Sequence, residues 1–83
     1  MKNAVDADIM FSSHKKGIII AFTGKLNVRA TPSNKGGNII GRINNRSHIT
    51  IIGTDASGDW YKIICDEFPH GGWINSLFID VRE

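Results

Sequence analysis

The chain has 83 residues and a net charge of +2, from 10 Lys and Arg against 8 Asp and Glu. This predicts one small domain, and because no basic run concentrates the charge, it argues against a nucleic-acid-binding protein. The single cysteine excludes a disulfide or a cysteine-cluster metal site within these residues, and the longest apolar run, residues 18–22, is far shorter than the roughly 20 residues of a membrane-spanning helix.

Residues 1–16 are predicted to be an N-terminal arm, flexible or loosely docked, in front of a barrel domain at 17–83. Residues 4–11 could form one or two helical turns or an extra edge strand. Residues 12–17, with the sequence Ser-Ser-His-Lys-Lys-Gly, have the composition of a loop.

Two different strand patterns follow the arm. Residues 17–23 are a short apolar run rich in isoleucine and bounded by Gly17 and Gly24, which predicts a strand buried on both faces. Residues 26–29, Leu-Asn-Val-Arg, alternate apolar and polar side chains and predict a half-buried strand. Pro32 cannot continue a strand, so the Pro-, Ser-, Asn- and Gly-rich residues 31–38 are predicted to be a long exposed loop.

The rest of the chain alternates short β-branched or aromatic runs with turn signals. Further strands are predicted at 39–43, 48–54, 59–65, 72–74 and 79–81, with one tight 3₁₀ turn at 75–78 before the last strand. Gly41 inside its strand suggests a kink or a close backbone approach, and the asparagines of the 44–47 turn are able to take positive φ. Short, evenly spaced strands of this kind predict an all-β fold, a small antiparallel barrel or sandwich.

The predicted core collects the apolar residues expected to point inward. It comprises Ile18, Ile20, Leu26, Val28, Ile40, Ile49, Ile51, Ile63 and Ile74, with Trp73 as a plug. The parity of residues 18–20 is open, because three consecutive isoleucines do not reveal which of them faces inward.

Catalytic chemistry finds little support. Cys65 with His14, His48 or His70 would be a thiol–imidazole pair, but Cys65 continues an apolar run, where a cysteine is usually a small core residue. The spacing of these residues does not match a zinc site, and Gly36 is not part of a phosphate-binding loop, since a strand rather than a helix follows. We therefore expect no catalytic residue, no cofactor, no metal and no enzymatic activity.

Aromatic side chains are the better functional signal. Trp60 and Tyr61 are neighbours on a predicted strand, so their side chains point to opposite faces, one into the core and one outward. An exposed aromatic side chain on a small barrel is a contact for a peptide or a sugar. The alternative is that Trp60 only covers one end of the core.

Three ordered motifs carry a resemblance. They are Leu-Asn-Val-Arg-x-x-Pro from Leu26, Gly-x-Trp-Tyr-Lys-Ile from Gly58 and Gly-Trp-Ile-x-Ser from Gly72. In this order they resemble the bacterial SH3 domain family, over about Gly17 to Val81. The resemblance implies a small SH3-like antiparallel β-barrel.

The resemblance also implies a shallow groove bordered by Trp60, Asn75 and Phe78, with the 31–38 loop as its other wall. On that loop the implied ligand-binding residues are Ser33, Asn34 and Asn38. Asn75 stands where the eukaryotic SH3 pattern has proline, Phe78 lacks the tyrosine hydroxyl, and the loop has no acidic cluster, so polyproline recognition is not favoured.

Arg29 has two possible roles. It points away from Leu26 and Val28 on its strand and could contact a ligand carboxylate bidentately. The favoured interpretation is structural: it ties the loop to the barrel through backbone carbonyls, since most side-chain hydrogen bonds go to backbone or water.

The resemblance implies a non-catalytic module, expected to be a monomer with at most weak self-association, that recognises an extended peptide, with a peptidoglycan stem or cross-bridge peptide as the favoured ligand. The alternatives are a cytoplasmic protein–protein adaptor and a minimal Cys65 hydrolase. Asp6 and Asp8 argue against a signal peptide. The compartment is therefore open between the cell wall or exterior, for a segment of a longer exported protein, and the cytoplasm.

Overall fold

The computed structural model describes residues 9–82, which form seven strands and one 3₁₀ turn. The elements are β1 (Ile9–Ile19), β2 (Lys25–Arg29), β3 (Ile39–Asn44), β4 (His48–Thr54), β5 (Trp60–Ile64), β6 (Gly72–Asn75), the 3₁₀ turn (Ser76–Phe78) and β7 (Ile79–Arg82). The all-β prediction and the 3₁₀ turn before the last strand are confirmed. Within residues 9–82, no helix is long and apolar enough to cross a membrane.

The strands form one antiparallel sheet in the order β3-β2-β6-β5-β4-β1-β7. The sheet encloses a single apolar core to which every strand contributes. The buried cluster consists of Ile19, Ala21, Val28, Ile43, Ile49, Ile51, Ile63, Ile74 and Ile79. A sheet that buries one face of all seven strands in one cluster has the geometry of a small barrel.

The first strand begins and ends earlier than the sequence indicates, because the strand predicted at 17–23 stops at Ile19 and residues 20–23 lie outside any strand. The loop predicted at 12–17 is wrong, because residues 9–19 are one strand that pairs with β4 on one side and, from Lys16 onward, with β7 on the other. An irregularity in register lies between Met10 and Lys15. Pairing with two neighbouring strands outweighs the polar composition of this segment. Of the arm predicted for residues 1–16, residues 1–8 lie outside the described residues, and the division into arm and barrel stays a prediction.

Three members of the predicted core lie elsewhere: Ile18 and Ile20 are only half-buried, and Ile40 is 48% exposed. Leu26 is half-buried and packs against the core cluster. In β1 the inward positions are Gly17 and Ile19, the opposite parity to Ile18 and Ile20, so Ile19 is buried instead. Because side chains alternate along a strand, a shift of one residue exchanges the whole inward set for the outward one.

Close packing explains two glycines. The ring of Phe68 occupies the space where a side chain on Gly41 would begin, 2.8 Å from the position of its Cβ, which confirms the close approach predicted there. Val28 of the neighbouring strand β2 is even closer to Gly72, with its Cγ1 2.3 Å from the position that a Cβ on Gly72 would take. Both strands can pass these neighbours only because glycine has no side chain.

Trp73 is 2% exposed but is not part of the isoleucine cluster. It lies in register between Arg29 and Lys62, on the face of β6 opposite to that of Ile74. The Lys62 ammonium nitrogen is 6.0 Å from the centre of its ring, within the range of a cation–π contact. Trp73 is therefore buried as predicted, but under a lysine on the outer face rather than as a plug of the core.

Candidate binding cleft

Trp60 is held in place by the turn that precedes it. The carboxylate of Asp55 accepts hydrogen bonds from the backbone nitrogens of Gly58 (3.0 Å) and Trp60 (3.2 Å). The Trp60 carbonyl accepts in turn from the Asp55 backbone nitrogen (3.1 Å) and the Thr54 hydroxyl (3.0 Å). An aspartate that bonds backbone groups further along a turn fixes its geometry, so Trp60 begins β5 at a rigid position.

The 3₁₀ turn forms the neighbouring part of the surface. Asn75 lies directly opposite Trp60 in the β5–β6 pair, and its side-chain oxygen accepts from the Leu77 backbone nitrogen at 3.0 Å. Ser76 joins this turn to the preceding hairpin, since its backbone nitrogen donates to the Asp59 carbonyl at 2.8 Å. The capping bond uses the Asn75 oxygen and leaves its NH₂ group to donate toward a ligand.

Strand β2 and the loop after it form the opposite side. The Arg29 guanidinium donates to the Asn38 side-chain oxygen at 2.9 Å. The Asn38 NH₂ group donates to the Ser33 carbonyl (2.7 Å) and the Thr31 hydroxyl (2.9 Å). Arg29 thus ties the loop to the barrel as favoured from the sequence, but through the Asn38 side chain rather than through backbone carbonyls.

These three parts enclose a cleft of about 230 Å³. Its lining residues are Leu26, Asn27, Arg29, Asn34, Trp60, Asn75 and Phe78. Two aromatic rings and one leucine supply apolar surface, three asparagines supply amides, and Arg29 supplies a positive charge; none of the seven is acidic. Such a surface can hold a peptide backbone and a carboxylate together.

Four of the six predicted ligand-binding residues meet in this cleft: Trp60, Asn75, Phe78 and Asn34. Ser33 and Asn38 do not line it, since the Asn38 amide is engaged within the loop. Leu26 and Asn27 were missed. The alternation of residues 26–29 predicts only a half-buried strand, and the resemblance assigns the other wall of the groove to the loop after this strand rather than to the strand itself.

We expect Asn38→Ala to loosen the 31–38 loop and to lower the free energy of unfolding by about 1–2 kcal/mol, because the four hydrogen bonds of the Asn38 side chain disappear. Asn38→Asp is the matched variant, since it keeps an acceptor for Arg29 and loses only the NH₂ donors. Amide hydrogen exchange across the loop and urea denaturation measure both effects. Unchanged loop protection in Asn38→Ala would contradict this structural role.

The cysteine lies away from this cleft. Cys65 is half-buried at the edge of the core, and its thiol donates to the Glu67 carboxylate, with Sγ and Oε1 3.5 Å apart. Burial raises the pKa of the Cys65 thiol. Cys65, Glu67 and His48 line one surface depression. A protonated thiol that is hydrogen-bonded to a carboxylate is the opposite of an activated nucleophile. Within residues 9–82 there is no group of three His, Cys, Asp or Glu side chains that could hold a metal.

We expect a thiol-reactive probe to label Cys65 more slowly in the native protein than in urea-unfolded protein at the same pH. Because the folded pKa is raised, the thiolate forms at higher pH in the folded state. The corresponding contribution to stability is present below the unfolded pKa and is lost as pH rises through the folded one. Cys65 is the only cysteine, so the labelling rate reports on this residue alone. Faster labelling of the native protein would contradict the assignment.

The sequence from β2 into β7 matches a known protein family. The sequence model of the family described as "Bacterial SH3 domain" matches residues 24–80, more than half of the chain. The chain belongs to the bacterial SH3 domain family. A search of curated proteins found no match. The match begins after β1, so in this bacterial SH3 domain the strand between β4 and β7 comes from residues in front of the matched region. Membership supports a non-catalytic module that binds a peptide or a protein.

Proposed function

We propose that this bacterial SH3 domain binds an extended peptide in the cleft between Trp60, Phe78 and the 31–38 loop, and that the ligand is a cell-wall peptide, a peptidoglycan stem or cross-bridge. The observation that carries the proposal is the meeting of two aromatic side chains with amides and one fixed guanidinium. Trp60 and Phe78 form the apolar floor, and Asn75 and Asn34 form the polar rim.

The polar groups of the cleft suit a peptide that carries carboxylates. The amides of Asn27, Asn34 and Asn75 can donate to backbone carbonyls, and Asn27 and Asn34 can also accept from backbone N–H groups. Arg29 is oriented by its bond to Asn38, and an oriented guanidinium is suited to a carboxylate of the ligand. Because the lining contains no acidic residue, a basic proline-rich peptide would find no counter-charge there.

One copy of the domain is expected to bind weakly. The cleft is small and shallow, and a flexible peptide loses conformational freedom when it is bound. Attachment to a second wall-binding unit would raise the overall affinity without any new contact. The module would then act by targeting an attached or partner protein to the wall.

The test is an NMR titration of isotope-labelled protein with purified stem peptides, with and without the cross-bridge. We expect shifts on Trp60, Phe78 and the 31–38 loop. Asn34→Ala removes one amide from the rim and should weaken binding, whereas Asn44→Ala, an exposed asparagine that does not line the cleft, should not. A flat response at millimolar peptide would overturn the wall-peptide proposal, and partner capture from a cell extract would then address the adaptor alternative.

A further inference from the structure

The last two residues of β1 and the segment that follows them, residues 18–22 together, are apolar on both faces. Ile19 and Ala21 point into the core and are buried. Ile18 and Ile20 alternate with them and are half-buried, and Phe22, in the turn after this segment, has a side chain that is 91% exposed. An extended segment with apolar side chains on both faces is typical of one that is covered on both sides, and among residues 9–82 its outer side borders an open groove.

These outward residues line a groove of about 570 Å³. The groove shares no lining residue with the Trp60 cleft. Its rim carries Arg46, Arg82 and His48. Asp80 lies in register opposite Ile18, and its carboxylate pairs with Arg82 at 2.9 Å, so the rim remains basic after this pair is taken into account.

Arg46 is held at the groove by its backbone. It has a φ of 71°, in the left-handed region that glycine and asparagine adopt more readily than arginine does. The turn was expected to place an asparagine at positive φ, but Arg46 takes it instead. Its backbone nitrogen donates to the Ile19 carbonyl at 2.8 Å, and Asn45 accepts from the Ala21 nitrogen at 2.9 Å. Left-handed non-glycine residues concentrate at binding and switch sites.

We propose that this groove, defined by Ile18, Ile20, Phe22 and Arg46, binds an acidic peptide segment of a partner protein through one bulky apolar side chain. The side chain packs on the isoleucines beside Phe22, and flanking carboxylates face Arg46 and Arg82. Complementary charge of this kind sets specificity and the rate of association.

Charge and shape favour this occupant over two others. A second copy of the chain carries a net charge of +2 and the same basic rim, so like charges would face each other across a symmetric contact. A lipid surface would engage only the protruding Phe22 and would leave half-buried Ile18 and Ile20 uncovered on the floor of the concavity.

The test uses three synthetic probes on the full chain, followed by NMR: acetyl-DEDLFDED-amide, the neutral acetyl-SNSLFSNS-amide, and the acidic acetyl-DEDGSDED-amide that lacks apolar side chains. We expect the first to shift the amides of Ile18, Ile20 and Phe22 and to bind at least about fivefold more tightly than either control. Its affinity should fall as salt is added.

Two variants separate the groove from general surface effects. Phe22→Ser should weaken binding at least about fivefold, and Arg46→Asn should weaken it about two- to fivefold without loss of fold, because asparagine tolerates positive φ. Leu77→Ser is the matched control, an 85% exposed apolar residue outside the groove, and should leave affinity unchanged.

Equal affinity for the neutral acetyl-SNSLFSNS-amide and the acidic acetyl-DEDLFDED-amide would overturn the proposal. Shifts confined to the Trp60 cleft would also overturn it. Phe22 shifts that arise from raising the protein concentration alone would indicate self-association and would overturn the proposal. Phe22 shifts that arise when phosphatidylcholine–phosphatidylglycerol vesicles are added in place of peptide would indicate a lipid surface and would overturn it as well. Because the two surfaces share no lining residue, failure of this proposal would not affect the wall-peptide proposal. Failure of the wall-peptide proposal would likewise not affect this one.

Discussion

Gly72→Ala is expected to destabilise the domain by about 2–3 kcal/mol, the largest effect we predict for a single added methyl group. The new Cβ would lie 2.3 Å from Cγ1 of Val28, which is fully buried. Valine is stiff about its only side-chain torsion and cannot turn away. Gly72 is also paired with Ile63 inside the sheet, so strand β6 cannot retreat without breaking its pairing.

Urea denaturation followed by tryptophan fluorescence measures this effect. Gly36→Ala is the control, because that glycine has no atom within 4 Å of its Cβ position and should change stability by only a few tenths of a kcal/mol. The double variant Gly72→Ala, Val28→Ala removes the obstructing methyl groups, so its destabilisation should be smaller than the sum of the two single effects. Strict additivity would show that the clash is relieved elsewhere.

Trp60→Ala is expected to weaken binding of the stem peptide about 10- to 30-fold, the loss typical of an aromatic anchor at the centre of an interface. Trp60 lies between Asn75, its partner across the strands, and the hairpin turn held by Asp55. Removing the ring takes away the largest apolar surface in the cleft. This prediction rests on the proposed function.

The same NMR titration measures it, with Trp60→Phe as the conservative variant that should retain most of the affinity. Because Trp60 is half-buried, the spectrum of the free variant is compared first, to show that the barrel is folded. Leu77→Ala, an exposed apolar truncation outside the cleft, should bind as the unchanged protein does. Full affinity in a folded Trp60→Ala variant would place the ligand elsewhere on the domain.

Local sequence was enough to predict the all-β fold, the 3₁₀ turn and the resemblance that the family match confirms. The reason is that strand alternation and turn formation depend on the types of neighbouring residues. Leu26 to Arg29 alternate in polarity, Pro32 ends the strand, and the Asp55 turn precedes Trp60. The aromatic positions of the candidate cleft came from the same motifs.

Tertiary structure alone decided which side of a strand faces inward and which polar groups are already engaged. In Ile18-Ile19-Ile20 the parity is fixed by pairing with β4 and β7, contacts distant in sequence. Asn38 is predicted from the sequence to bind a ligand, but in the structure its amide is hydrogen-bonded to Arg29 and to other residues of the loop. Residue type and local sequence determine which contacts a side chain can make. Long-range strand pairing and loop packing determine which of its groups remain free to contact a ligand.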